Sequence, residues 1–423
     1  MVKIPGTTDL SGQIEKQLPA ELAGFIRTAG EITSGQGQSL YLVGGVVRDL
    51  LLGRANLDLD LVIEGSAIDL ARKLAPLAQG EITTHPRFNT AKLRWHKWGI
   101  DLTTARSETY ARPGALPRVK PGPLSDDLFR RDFTINAMAV HLESGRFGEL
   151  IDLYGGMDDL KHKLIRILHE KSFIDDATRI WRGLRYEQRL GFKLEPVTLK
   201  LLKRDIDMLD TISGDRIRYE LECILGEEFP EKALRRAEEL GALARLHPSL
   251  RSDRQLEKKF GKARGSAYPN LPPRGLYLAL LTHPLTSGEI GYLISYLRLP
   301  KSVAQIIRDT ASIKAGLESL ADPEPTPSRI YHLLHGYAPL AIVATSFATD
   351  SPVARRHIKL YLDKLRYIKP ALNGNDLKEM GIAPGPQIKE ILNLLREARL
   401  DGKVTSKQAE IELVRGWMAE RTL

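Results

Sequence analysis

The hydrophobic period of this chain changes once, near residue 158, and that change limits what the chain can fold into. From about residue 40 to 155, apolar residues come in short runs or in strict alternation, punctuated by glycine and proline. Beyond that point they recur every three to four residues. Period two marks a half-buried strand, and a period near 3.6 marks an amphipathic helix. The first stretch therefore reads as mixed α/β. The rest reads as mostly helical, through segments such as "DDATRIWRGLRYEQRLGF", "RIRYELECIL" and "SVAQIIRDTASIKAGLESL". "ADPEPTPS" reads as a linker or long loop, and no repeat of fixed period is present. At 423 residues the chain exceeds one ordinary hydrophobic core, so roughly two to four compact units are expected.

Inside the α/β part, "YLVGG" is a short apolar run closed by a glycine turn, and "VVRDLLLG" has helical spacing that stops at Gly53. "AKLRWHKWGIDLTTAR" is expected to form two strands around a Lys97–Gly99 turn. "SETYARPGALPRVKPGPLSDD", rich in proline and glycine, reads as a long loop. "FTINAMAV" is compatible with a helix capped by Asp132 or Thr134, and "GELIDL" with a short strand.

"LDLDLVI" alternates strictly, which puts Asp58 and Asp60 on one face and Leu57, Leu59 and Leu61 on the other, toward a core. Two carboxylates roughly 6–7 Å apart on one strand repel unless a cation lies between them. Magnesium prefers oxygen ligands, and a pair of such ions clamps the attacking and leaving oxygens of a phosphoryl transfer. Alone, the D-x-D pattern fits a solvated strand face better. Its surroundings shift the balance. Gly44 and Gly45 allow backbone N–H groups close to a triphosphate at a helix start, and Arg48 follows in the first turns to grip phosphate. Asp101, in strand-like "GIDLTTAR", is a candidate third carboxylate, with a strand-edge aspartate as the plain alternative.

Two arginine-rich segments come next. In "LFRRDFTINAMAV", Arg131 is a candidate phosphate contact, although surface arginines beside a capped helix are the simpler reading. In "DDATRIWRGLRYEQRLGF", Ala177, Ile180, Trp181 and Leu184 fall within an arc of roughly 100° and form a core stripe. Arg179, Arg182 and Arg185 occupy another sector, and Asp176 lies one turn before Arg179, within reach of it. An aspartate accepts from an exocyclic amine and an arginine donates to a base edge, so the pair can read a base. The plain alternative is an ion pair on a basic surface helix.

The net charge of +9 and an isoelectric point near 9.4 point to a polyanionic partner, most simply nucleic acid. The single cysteine, Cys223, excludes an internal disulfide and a cysteine zinc site. No apolar run is long enough for a membrane helix, and "MVKIPGTTDL" lacks a signal-peptide core, which together favour a cytoplasmic location and no membrane.

These motifs, in this order, resemble the class II tRNA nucleotidyltransferase and bacterial poly(A) polymerase family. "LVGGVVRDLLLG…LDLDLVIEG", "RRDFTINAMA", "DLYGGMDDLKHKLIR", "DDATRIWRGLRYEQRLGF" and "SGDRIRYELECIL" span about residues 40 to 226, and "NGNDLKEMGIAPGPQIKEILNLLREARLDGKVTSKQAE" is similar to the family's tail. The resemblance implies an α/β nucleotidyltransferase head with a mixed sheet (residues 1–157). An all-α neck that selects the nucleotide (158–228), an RNA-binding body (229–350) and a tRNA-binding tail (351–423) would follow, in a seahorse-like arrangement. It implies Mg2+ on Asp58 and Asp60, triphosphate contacts from Gly45, Arg48 and Arg131, and a protein template of Asp176 and Arg179, with Arg182 and Arg185 nearby. Two departures are visible. Asp175 stands where glutamate is usual, and Gly183 stands where small residues such as alanine are usual.

The expected activity is addition of CMP and AMP, from CTP and ATP, to the 3′ end of tRNA. Addition of A only or of CC only, and poly(A) synthesis, are the family alternatives. "ETYARPGALPRV" resembles the loop whose loss accompanies CC-only addition, while "DLDLVIEG" and "HPRFNTAKL" resemble members that include A-adding enzymes. A catalytically silent RNA-binding protein would be marked by loss of Asp58, Asp60 or Arg131, and all three are present.

Overall fold

Among the described residues, chain order gives eleven strands: β1 (Leu40–Val43), β2 (Leu59–Ile63), β3 (Glu81–His85), β4 (Thr90–Trp95), β5 (Trp98–Thr104), β6 (Arg106–Thr109), β7 (Arg118–Pro121), β8 (Met138–His141), β9 (Leu150–Asp152), and the two-residue strands β10 (Leu164–Ile165) and β11 (Lys193–Leu194), which pair in parallel inside the neck stretch expected to be all helical and are too short for a periodic pattern to reveal. Seven of them form one mixed sheet in the order β3-β4-β5-β2-β1-β8-β9, and β6 and β7 pair apart as a two-stranded ribbon. Only β2 and β5 run parallel within the large sheet; the other pairs are antiparallel. This computed structural model describes residues 8–78, 80–267 and 269–420. The first seven residues, included in the reading for a signal segment, lie outside the described residues.

Helices α1 (Ser11–Gln17), α2 (Ala20–Ser34), α3 (Gly45–Leu51) and α4 (Ala67–Ala78) accompany the sheet. Strands β1 and β8 are buried throughout. This explains one correction. "FTINAMAV" is not a helix but a 3-10 turn, Thr134–Asn136, followed by central strand β8. A strand covered on both faces is apolar without alternation, so its short run looks the same as a buried helical turn. The expected stop at Gly53 is present, with φ +67°.

Three further expectations change. The β4–β5 hairpin turns at His96 and Lys97, one residue earlier than read, with Trp95 opposite Trp98. The proline- and glycine-rich stretch contains the β6–β7 ribbon; its prolines lie in the connection (Pro113, Pro117), at the end of β7 (Pro121) or at the N-cap of the next helix (Pro123), where a missing N–H is tolerated. Leu57 precedes β2 and is 38% exposed, whereas Leu59 and Leu61 are buried as expected.

After α5 (Leu124–Phe129) and α6 (Gly156–His162), the chain continues through α7 (Ser172–Asp175), α8 (Thr178–Leu190), α9 (Pro196–Arg204) and α10 (Gly214–Leu225). The stripe of Ala177, Ile180, Trp181 and Leu184 is fully buried. The chain divides into two compact units, Met1–Leu221 with Glu239–Arg245, and Glu222–Glu238 with Leu246–Leu423. The second is helical, with one apolar cluster around Tyr331, Leu334 and Ile358 and another around Leu377, Leu395 and Val414. "ADPEPTPS" is a loop within that unit up to Thr326, which caps the helix Pro327–Leu334, and Asp401 accepts from the N–H and hydroxyl of Ser328 in its first turn, each at 2.9 Å. Among the described residues, no helix is long and apolar enough to cross a membrane.

Candidate active site

Sheet register brings together acids that are far apart in sequence. Asp60 on β2 lies opposite Val43 on β1 and Asp101 on β5. Asp101 in turn faces Lys92 of β4, whose ammonium is 3.2 Å away. Asp58 stands just ahead of β2, exposed, its N–H donating to the Asn56 side chain at 3.0 Å. Burial pushes the Asp60 carboxyl up to about 6. Arg131 opposes this, the Asp58 and Asp101 carboxylates add to it, and Lys92 lowers it. A cation at this point would relieve both the burial and the repulsion. Among the described residues, no group of three or more His, Cys, Asp or Glu closes into a metal cage. Magnesium is typically held by one or two carboxylates together with substrate phosphates, so an open carboxylate pair suits it better than a closed cage would.

The turn between β1 and α3 forms the opposite wall. Gly44 has φ +78° and ψ −140°, a conformation reserved for glycine. A Cβ there would lie 3.0 Å from Arg131 Nη1 and 3.4 Å from Asp60 Oδ2. Backbone, guanidinium and carboxylate thus enclose one small space, with Gly45 opening α3 beside it. Arg131 donates to Asp127 at 3.0 Å, and Asp127 is also gripped by Arg130 at 2.7 Å. Burial works against the Asp127 charge, but these two guanidiniums hold its carboxyl below the usual range.

Arg48 is turned into the protein rather than outward. It is 2% exposed, with Nε and Nη2 each 2.9 Å from Asp49 and Nη1 2.7 Å from Asn136 Oδ1. Its guanidinium also lies over the Tyr186 ring at 5.3 Å. It lies against the glycine turn, with Nη2 3.4 Å from where a Gly45 Cβ would stand, and it ties α3 to the 3-10 turn.

The Asp176–Arg179 ion pair is not formed. Asp176 is extended (φ −142°, ψ 96°), so it precedes α8 rather than lying on it. Its Oδ1 accepts from the Thr178 N–H at 3.0 Å, the Thr178 hydroxyl at 2.6 Å and Arg216 Nη2 at 2.7 Å. Arg179 is 5% exposed and donates instead to the Ser172 hydroxyl and the Arg130 carbonyl, each at 2.6 Å. The i,i+3 spacing fails because only one of the two residues is helical. Arg182 lies 2.7 Å from Asp132, and Arg182 and Arg185 approach Glu220 at 4.0 and 3.9 Å.

Reasoning from sequence missed the partners: Asn136 under Arg48, Asp127 under Arg131, Asp132 as an ion-pair acceptor, and Arg216 and Glu220 on α10. Only the last two had a signal, the four-residue spacing of opposite charges in "SGDRIRYELECIL".

Comparison with known proteins bears on this constellation. Residues 40–166 match the Poly A polymerase head domain, and residues 191–253 match the probable RNA and SrmB-binding site of polymerase A. An A-adding tRNA nucleotidyltransferase of Halalkalibacterium halodurans is 32% identical over 403 residues, covering 92% of this chain and 91% of that protein. The chain belongs to the tRNA nucleotidyltransferase family. Another relative, the A-adding tRNA nucleotidyltransferase of Geobacter sulfurreducens, is 34% identical over 95% of this chain, which spans about half (47%) of that protein's length. Among solved structures of the family, a Thermotoga maritima CCA-adding enzyme complexed with tRNA superposes with a TM-score of 0.77 at 31% identity, covering 97% of this chain and 99% of that one. The mixed-sheet head and helical remainder are those of this tRNA nucleotidyltransferase fold.

Proposed function

We propose that this chain adds CMP and AMP, from CTP and ATP, to the 3′ end of tRNA without a nucleic-acid template. The observation that carries this is the cleft shared by Gly44, Asp60 and Arg131, with Asp101 in register beside Asp60. The Gly44–Gly45 turn and Arg131 bind and orient the triphosphate, and buried Arg48 holds that turn in shape. Asp58 and Asp60, assisted by Asp101, are the residues that hold Mg2+, which when bound stabilises the charge that develops on the attacking and leaving oxygens. The tRNA 3′-oxygen attacks the α-phosphorus in line and pyrophosphate departs. Asp176 accepts from the exocyclic amine common to cytosine and adenine, which disfavours UTP; Arg179, Arg182 and Arg185 keep its surroundings basic.

In this reading residues 1–157 form the catalytic head, 158–228 the selecting neck, and 229–350 and 351–423 the body and tail. The last two hold tRNA through phosphate and shape contacts, in keeping with the net charge of +9. Similarity to A-adding relatives supports a second reading, addition of the terminal A alone. One experiment separates them: tRNAs lacking CCA, ending in C or ending in CC are incubated with each triphosphate, and their ends are sequenced. Extension of all three with CTP and ATP supports CCA addition. Extension of the CC-ended tRNA alone supports A addition, and no extension of any overturns both.

A further inference from the structure

The helix α10 carries two opposite charges one turn apart, and both face the selecting segment. Arg216 reaches Asp176 at 2.7 Å, and Glu220 approaches Arg182 and Arg185 at 4.0 and 3.9 Å. Residues four apart lie on one helix face, so a single helix sets an arginine against Asp176 and a glutamate toward Arg182 and Arg185.

The Arg216–Asp176 contact has an unusual form. An arginine and a carboxylate commonly pair with two parallel hydrogen bonds, one to each oxygen. Here Arg216 Nη2 and both donors of Thr178 all converge on Oδ1. No hydrogen bond within the described residues reaches Oδ2, and Arg216 Nη1 is buried without a hydrogen-bond partner. A two-pronged clamp would take up a lone pair on each oxygen, whereas here all three donors are gathered on Oδ1. Contact through one oxygen fixes the carboxylate's plane while leaving its second oxygen open.

We propose that Arg216 is a specificity-determining positioning residue: by holding Oδ1 of Asp176 it presents Oδ2 to the exocyclic amine of the incoming nucleotide. Thr178 supports the same oxygen from the other side. The proposal rests on the base-reading role of Asp176, and the test keeps the two apart.

Purified Arg216→Met, Arg216→Lys, Thr178→Val and Asp176→Ala proteins are compared with the parent on a tRNA ending in CC. Each of the four nucleoside triphosphates is supplied separately, and pyrophosphate inhibition and thermal melting are recorded. Arg216→Met is expected to lower the preference for ATP over UTP about tenfold, with pyrophosphate inhibition unchanged. Arg216→Lys should recover part of that preference, and Thr178→Val should lower it by less. Equal slowing with all four nucleotides overturns the proposal. Lost selectivity in Asp176→Ala with full selectivity in Arg216→Met leaves Asp176 as the reader and removes Arg216. Unchanged selectivity in Asp176→Ala removes both. If Arg216→Met does not fold, Arg216→Lys and Thr178→Val decide by the same measure.

Discussion

Asp60 and Asp101 are register partners on the only parallel pair of the large sheet, although forty-one positions separate them in sequence. Burial pushes the Asp60 carboxyl up to about 6, and the neighbouring Asp58 and Asp101 carboxylates add to that rise. An Asp60 that is harder to ionise in the folded state than in the unfolded chain contributes stability below pH 3.8, and that contribution is lost as pH rises through about 6. Without metal, Asp60→Asn is therefore expected to be more stable than the parent at pH 8, by up to about 3 kcal/mol. The two should be alike at pH 4. Denaturant melts with a chelator check this, and added Mg2+ should stabilise the parent alone. If Asp60 holds the metal as proposed, its removal should also cost about a thousandfold in nucleotide incorporation.

The turn at Gly44 is a second point of test. An alanine there meets the steric cost of φ +78° and places its Cβ 3.0 Å from Arg131 Nη1. Gly44→Ala is expected to lower stability by about 1–3 kcal/mol and to raise the KM for ATP by displacing Arg131. A KM that stays at the parental value while stability falls would show that the triphosphate does not depend on Arg131's position.

How much of this was legible beforehand depended on range. The switch of period, the stop at Gly53 and the buried stripe of Ala177, Ile180, Trp181 and Leu184 are local patterns, and each is found in the fold. The proximity of Asp60 to Asp101 depends on strand order, which no local pattern encodes. The segment around Met138 was misread because a strand covered on both faces loses its alternation. The β6–β7 ribbon was hidden because composition registers prolines and glycines but not whether they fall in a strand or in its connection. The proposed partner of Asp176 was misassigned for the opposite reason, since spacing offered Arg179 three residues on. The carboxylate, ahead of the helix, turns instead to Thr178 and to Arg216, forty residues away.

Arg182 and Asp132 join "RRDFTINAMA" to α8. Nε and Nη2 both reach Asp132 Oδ2, at 2.8 and 2.7 Å, while Oδ1 accepts from the Phe133 N–H and Asn136. Burial works against the Asp132 charge, but Arg182 above all holds its carboxyl below the usual range. Arg182→Met leaves a buried carboxylate without its counter-ion, and about 2–4 kcal/mol of stability should be lost at pH 7. The depressed value means that the stability from this pair is present above the ordinary carboxyl pKa and is lost as pH falls through the folded one. Parent and variant should therefore converge in acid. In a double-mutant cycle, Asp132→Asn combined with Arg182→Met should cost less than the sum of the single changes.

Gly183 tests packing against helix propensity. A glycine inside α8 costs about 1 kcal/mol relative to alanine, so propensity alone predicts that Gly183→Ala stabilises the chain. The structure predicts otherwise. The added Cβ would stand 3.1 Å from Phe133 Cζ and 3.6 Å from a Leu194 methyl. Phe133 is fully buried and held edge-on by Tyr186, with ring centroids 5.9 Å apart. It follows directly on Asp132, the acceptor of Arg182, so the ring cannot retreat without disturbing that ion pair. Gly183→Ala is therefore expected to gain nothing and to lose up to about 1 kcal/mol, since overpacking a filled core offsets the propensity gain. A gain approaching 1 kcal/mol in equilibrium melts would mean that Phe133 yields freely. Gly183→Ala combined with Phe133→Leu should release the gain if the ring is the obstacle, because the shorter side chain vacates the space that the new methyl needs.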